Sequence, residues 1–147
     1  MTIDQKGIDL IKGFESFRNH PYLDGTGLPT IGYGTIIYPN GVHVTMNDPN
    51  ISEQLAEHYL LNDLNHFEAQ LDAMVQNPTQ NQYNALLSFI YNLGANSLRY
   101  STLLKLIKVN PLDPNIREQF GLWVHAGGKI EPGLVTRRAK EADVWFS

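Results

Sequence analysis

Near its start the chain carries two carboxylates and a hydroxyl at a spacing that can support acid–base chemistry. The segment runs Glu15-Ser-Phe-Arg-Asn-His-Pro-Tyr-Leu-Asp24-Gly-Thr-Gly-Leu-Pro-Thr30-Ile-Gly-Tyr-Gly34, with Asp24 nine positions after Glu15 and Thr30 six after Asp24. Hydrolysis of a glycosidic bond asks for such a set. One protonated carboxyl gives its proton to the leaving oxygen, and one carboxylate positions water or attacks carbon from the other face. Each residue alone also has an ordinary explanation. Most acidic side chains are simply solvated, and Asp24-Gly25 is good turn chemistry.

The elements around these residues decide whether they can meet. Thr2 and Gln5 have the form of a capping box, and Ile8, Ile11 and Phe14 recur at helical spacing, which predicts a helix ending near Glu15. From about Pro21 to Val44 the pattern changes to that of a small sheet. Asp24-Gly25 and Thr26-Gly27 are turn dipeptides, a strand-like run begins at Thr30-Ile31 and ends near Tyr38, and Asn40-Gly41 is a hairpin signal. Two or three short antiparallel strands are expected. Glu15 would then sit at a helix end, Asp24 in the first turn and Thr30 at the start of the next strand.

After Ser52 the chain reads as helical. Leu55, Tyr59, Leu60, Leu64, Phe67, Leu71 and Met74 mark an apolar stripe on a helix over Ser52–Met74. Thr79 and Gln82 open a second helix as a capping box, and Gly94 is placed to stop it. Further helices are expected over about Ser101–Val109, Asn115–His125 and Leu134–Phe146. The architecture is α+β, a single domain over residues 1–147. A small N-terminal antiparallel sheet lobe covers about 15–50, and a larger all-helical lobe covers about 75–147 with the N-terminal helix. The long helix joins them, and the active-site cleft is expected between the lobes.

Bulk properties narrow the function classes. The chain has 147 residues, of which 42% are hydrophobic, enough for a sizeable core. It has no cysteine, which excludes disulfides and thiolate metal sites and suits synthesis in a reducing cytosol. No basic start leads into an apolar run, so a secretory signal is not expected, nor is membrane insertion. A formal charge of −4 argues against non-specific nucleic-acid binding. The local cluster Arg137, Arg138 and Lys140 reads as a solvated helix face in that respect.

The spaced Glu15, Asp24 and Thr30, followed by Ile31-Gly-Tyr-Gly34, resemble the signature of the phage-type lysozymes, glycoside hydrolase family 24. The resemblance continues through Ala85-Leu-Leu-Ser-Phe-Ile-Tyr-Asn-Leu-Gly94, Ser101-Thr-Leu-Leu-Lys105, Trp123 and Gly133-Leu-Val-Thr-Arg-Arg138, so that it covers about Gly7 to Phe146. It implies a lysozyme-like fold and a muramidase. The enzyme would cleave the β-1,4 bond between N-acetylmuramic acid and N-acetylglucosamine, with Glu15, Asp24 and Thr30 as catalytic triad and inversion at carbon. Inversion asks for carboxyl groups about 6.5–9.5 Å apart, with room for a water. The resemblance further implies that Arg137 or Arg138 approaches the acid, and it leaves open which. Tyr33 and Gly34 are candidate substrate-binding or acid-supporting residues. Two departures are visible, Thr35 where the family commonly has histidine and Ser16 where it often has glycine.

Other chemistries find little support. The five histidines show no metal-ligand spacing, and no glycine loop has a phosphate-binding context. No cofactor is expected, and a monomer acting on peptidoglycan strands is. The enzyme would be made in the host bacterial cytoplasm and act on the wall in the periplasm after release or delivery. Trp123, Trp145 and Tyr33 have rings that can stack on sugars, with core packing the expected role of both tryptophans. Three rivals remain at this point. A lytic transglycosylase needs the Glu but not the Asp–Thr pair, and a wall-binding module would keep the fold without turnover. A tail-associated or secreted antibacterial effector domain, in place of a free lysis enzyme, would carry the same catalytic residues.

Overall fold

The computed structural model describes all 147 residues and runs α1 (Gln5–Glu15), β1 (Arg18–Leu23), β2 (Pro29–Gly32), α2 (Glu53–Met74), α3 (Gln80–Leu93), α4 (Ala95–Arg99), α5 (Thr102–Val109), α6 (Asn115–Gly121), β3 (His125–Ala126), β4 (Lys129–Ile130) and α7 (Pro132–Trp145). The chain divides into two compact units, Asp9–His66 and Met1–Ile8 with Phe67–Ser147. The first holds the β1–β2 hairpin and is called the hairpin unit here. The second is the helical unit.

In the hairpin unit, Ala56, Leu60 and Leu64 recur four residues apart on α2 and are fully buried, as are Ile11 and Ile31. The buried stripe of α2 therefore starts at Ala56, while Leu55 is exposed. The small side chain matters. A Cβ on Gly32 would lie 3.0 Å from the Ala56 Cβ, so β2 approaches α2 as closely as a glycine allows. Gly32 also has φ +68, in the left-handed region that favours glycine.

Strands β1 and β2 pair antiparallel, with Tyr22 opposite Thr30 and Arg18 opposite Gly32. The register shifts between Arg18 and Tyr22. Pro21 lies in that stretch and has no N–H to give to the ladder, the reason a strand this early was not legible from its residues. The expected Asn40-Gly41 turn is present, closed by the Gly41 amide donating to the Tyr38 carbonyl (2.9 Å) and the Tyr38 amide to the Val42 carbonyl (2.9 Å). Its flanks are only an isolated bridge, Ile37 to His43, so the run from Thr30 to Tyr38 is not one strand.

In the helical unit, the Thr79–Gln82 capping box forms with both of its hydrogen bonds, and Ser101 caps α5 through the Leu104 amide. The core is aromatic. Phe89 on α3 meets the edges of Phe120 and Trp123, and Phe120 faces Trp145 on α7. Trp145 thus packs in the interior, with its Nε1 donating to the Pro111 carbonyl at 2.9 Å, whereas Trp123 is only half-buried. Three expectations need correction. The N-terminal cap of α1 is Asp4, whose carboxylate accepts from the Gly7 amide at 3.1 Å, in place of the Thr2–Gln5 box. A short helix, α4, follows Gly94 directly. The unit is not all-helical either, because Gly127-Gly128 turns a two-residue hairpin, β3–β4, that cuts short the helix expected to reach His125.

Candidate active site

Glu15, Asp24 and Thr30 all fall in the hairpin unit. Glu15 is the last residue of α1 and is half-buried. The helix stops there because Ser16 turns into the left-handed region (φ +54), where its amide still donates to the Lys12 carbonyl at 3.1 Å. An L-residue in that conformation costs about 1–2 kcal/mol. The stop turns the chain at once into β1.

Asp24 sits in the turn between β1 and β2. Its Oδ1 accepts three hydrogen bonds, from the Thr26 amide (2.8 Å), the Thr26 hydroxyl (2.7 Å) and the Leu28 amide (2.9 Å). The turn is closed by the Gly27 amide on the Asp24 carbonyl (3.0 Å), with Gly27 at φ +85. These donors, the Thr26 hydroxyl first, hold the Asp24 carboxyl below the usual carboxylate range. Because all three fall on one oxygen, Oδ2 keeps its lone pairs free of protein donors.

Thr30 is 2% exposed, and its hydroxyl donates to the Leu28 carbonyl at 2.9 Å. With its proton so directed, the Thr30 oxygen can only accept a further hydrogen bond. The residue that ties the three together is Tyr22, which pairs with Thr30 across the hairpin. Burial raises the Tyr22 phenol above its ordinary value, the Glu15 charge adds to the rise, Arg18 opposes it and Asp24 adds a little more. The Arg18 guanidinium lies 4.5 Å from the centre of the Tyr22 ring. Both carboxylates therefore act on one phenol. The residues alone did not single out Tyr22, because its role depends on strand pairing and not on any motif.

The remaining candidates are more deeply placed. Tyr33 is 3% exposed, packs against Phe17 at 5.7 Å and donates its hydroxyl to Glu53 Oε1 at 2.7 Å, with Lys12 Nζ 5.2 Å from its ring. A ring so enclosed offers no face to a sugar, and its contacts brace the Gly32–Gly34 turn. Gly34 itself has φ +98 in that turn. Thr35, in the position noted as a departure, is fully buried and donates to Asp63 Oδ2 at 2.9 Å. Burial pushes the Asp63 carboxyl up to about 6, with the Thr35 hydrogen bond opposing.

Arg137 and Arg138 fall in the helical unit, and neither is a solvated helix face. They are 5% and 0% exposed. Arg137 donates to the Ser88 carbonyl at 2.9 Å, and its Nε lies 3.4 Å from Glu141 Oε2. Arg138 pairs with Glu141 Oε1 at 3.0 Å, donates to Asn92 Oδ1 at 2.5 Å and lies 5.1 Å from the centre of the Phe89 ring. The apolar periodicity of α7 gave no sign of this cluster, since charged residues there read as surface.

Comparison with known proteins gives a consistent result. A family model described as phage lysozyme matches residues 12–141. The endolysin of Bacillus phage B103 is 37% identical over the whole chain, which covers 55% of that protein. The chain thus spans about half the length of the Bacillus phage relatives it matches. The endolysin of Salmonella phage P22 is 33% identical, with 100% of this chain and 99% of that protein covered. Among solved structures, an endolysin from Escherichia coli O157:H7 phage FAHEc1 superposes with a TM-score of 0.89 at 37% identity, covering 100% of this chain and 94% of the other.

Proposed function

The chain belongs to the phage lysozyme family, and from that membership and the geometry of the hairpin unit we propose that it is a muramidase. The substrate is the glycan strand of bacterial peptidoglycan, cut at the β-1,4 bond between N-acetylmuramic acid and N-acetylglucosamine. The observation that carries this reading is the turn at Asp24. Its carboxylate is held ionised through one oxygen while the other stays open, next to a threonine whose hydroxyl can only accept.

In the proposed reaction the half-buried Glu15 gives its proton to the glycosidic oxygen as the bond to carbon breaks. A water donates one hydrogen to Asp24 Oδ2 and the other to Thr30 Oγ1, which turns its lone pair toward the anomeric carbon. Asp24 takes the proton as the new bond forms, and the sugar is released with inverted configuration. Arg18, over the Tyr22 ring, supplies a positive charge to this hairpin. Tyr33 and Gly34 hold the turn that follows Thr30. Arg137 and Arg138 are both engaged with Glu141 inside the helical unit. The enzyme acts as a monomer on the cell wall. No helix is long and apolar enough to cross a membrane.

Digestion of purified peptidoglycan by wild type and by Glu15→Gln tests the reading, with new reducing ends followed and fragments checked for anhydro sugars by mass. Reducing ends from wild type alone support a hydrolase with Glu15 as acid. Anhydro ends would move the protein to the transglycosylases and leave Asp24 and Thr30 without their roles. A folded wild type that binds the wall and cuts nothing would make it a binding module.

A further inference from the structure

The hairpin unit holds a recess of about 640 Å3 that shares no lining residue with the Glu15, Asp24 and Thr30 set. That volume is ordinary for a small-ligand site, where an apolar surface with a few convergent polar groups fixes one ligand. Both features are present. Val42 and Leu55, 56% and 38% exposed, line it with Ile51. Tyr38 and Tyr59 meet edge to face in it at 5.3 Å, and the His58 ring lies 6.3 Å from Tyr59.

Its polar groups divide into those already used and those still open. Asp48 is used. It accepts from the Tyr38 hydroxyl (2.7 Å), the Thr45 amide (2.9 Å) and the Thr45 hydroxyl (2.6 Å), which hold its carboxyl below the usual range and keep it charged. Asn40 is half used, since its carbonyl oxygen accepts from the Val42 amide at 3.0 Å and its NH2 group is left to donate. The Asn50 amide and the Tyr59 hydroxyl have no protein partner. The recess therefore offers aromatic surface, two amides, a phenol and an imidazole to whatever enters.

Charge selects among possible occupants. The one fixed charge in the recess is the anionic Asp48, which disfavours carboxylate-bearing peptides. Its oxygens are already bonded within their own loop, so it is a poor anchor for a cation. A neutral ligand with an apolar face, hydroxyls and an acetamido group satisfies the open donors and acceptors. We infer that this recess is a second glycan-binding site, taking an N-acetylglucosamine unit of a strand apart from the one being cut. The ring face stacks on the tyrosine surface, the acetamido methyl meets Val42 and Leu55, and Asn40, Asn50 and Tyr59 bond the polar edge.

The source of the sugar rests on the proposed function, but the binding can be measured without turnover. Tri-N-acetylchitotriose is titrated into the Glu15→Gln protein, with backbone and side-chain amide signals followed by NMR. Saturable shifts at Asn40, Asn50 and Val42 are expected, with affinity lowered about tenfold in Asn50→Ala/Tyr59→Phe through two lost hydrogen bonds. Asn50→Trp, which fills the recess at an exposed position, should abolish those shifts while the signals near Asp24 still respond. Shifts near Asp24 with none in the recess would overturn this inference and leave the proposed function standing. Shifts in the recess with none near Asp24 would uphold it and sink the muramidase reading. Recess shifts produced by a peptidoglycan stem tetrapeptide and not by the sugar would also overturn it.

Discussion

Replacing Gly32 with alanine should destabilise the protein by an amount that can be worked from two features of the site. The backbone there has φ +68, where an L side chain costs about 1–2 kcal/mol. The new methyl would also stand 3.0 Å from the Ala56 Cβ, and 3.4 Å from both the Ala56 Cα and the Ile51 Cδ1. Overpacking of this kind costs about 1–3 kcal/mol, and the lower entropy of an unfolded alanine returns about 0.4–1 kcal/mol. The net loss is about 1–5 kcal/mol, or a fall in Tm of roughly 3–20 °C for a chain of this size. Gly13→Ala is the matched control. Gly13 lies inside α1 with open space around its Cβ position, so the same change should add about 0.5–1 kcal/mol. Thermal unfolding followed by circular dichroism measures both. If Gly32→Ala costs less than 1 kcal/mol, or moves Tm in the same direction as Gly13→Ala, the claim that β2 is seated on α2 through this glycine is wrong.

Three further outcomes are expected. Thr26→Val removes the shortest donor on Asp24 Oδ1 and lets its pKa rise, so activity, which needs the ionised carboxylate, should begin to fall at higher pH on acidification; an acid limb that does not move would show that Thr26 has no hold on the site. Asp63, with its folded pKa raised to about 6 above the ordinary 3.8, contributes stability that is fully present below the unfolded value and is lost as pH rises through about 6. Asp63→Asn, which can still accept from Thr35, should flatten the dependence of Tm on pH between about 4 and 7, and an unchanged slope would count against the burial of that carboxyl. Ser16→Gly should stabilise by about 1 kcal/mol, because it relieves the left-handed φ of +54 at the end of α1; no gain in chemical denaturation would mean the strain is absent.

Local signals carried most of the helices into view. The Thr79–Gln82 box, the Gly94 stop and the Ser101 cap act within one turn of chain, so their residue types suffice to place α3 and α5. The Asp24 turn was legible for the same reason, since Asp-Gly-Thr-Gly supplies its own donors and its own left-handed glycine. Failures came where a distant partner decides. Thr2 looked like a cap from spacing, but Asp4 takes the role, and the Asn84 side chain that donates to it at 2.7 Å lies eighty positions along the chain. Leu55 looked inward from hydrophobicity, but the close approach of Gly32 requires the smaller Ala56 at that face.

The candidate site divides along the same line. Glu15, Asp24 and Thr30 stood out through the resemblance to the phage-type lysozymes, each at an element end whose position the local sequence fixes. What makes them a site is the hairpin pairing that sets Tyr22 opposite Thr30, with its half-buried phenol within reach of the charge of both carboxylates. The register of that pairing shifts between Arg18 and Tyr22, in the stretch that holds Pro21, the residue that also hid β1. Tyr22→Phe isolates the phenol's contribution, since it keeps the ring over which Arg18 lies and removes only the hydroxyl. A phenol is neutral where carboxylates titrate, and this one is raised further, so Tyr22→Phe should leave both limbs of the pH–rate profile in place while Tm changes little. A limb that moves would show that the hydroxyl holds one of the carboxylates directly.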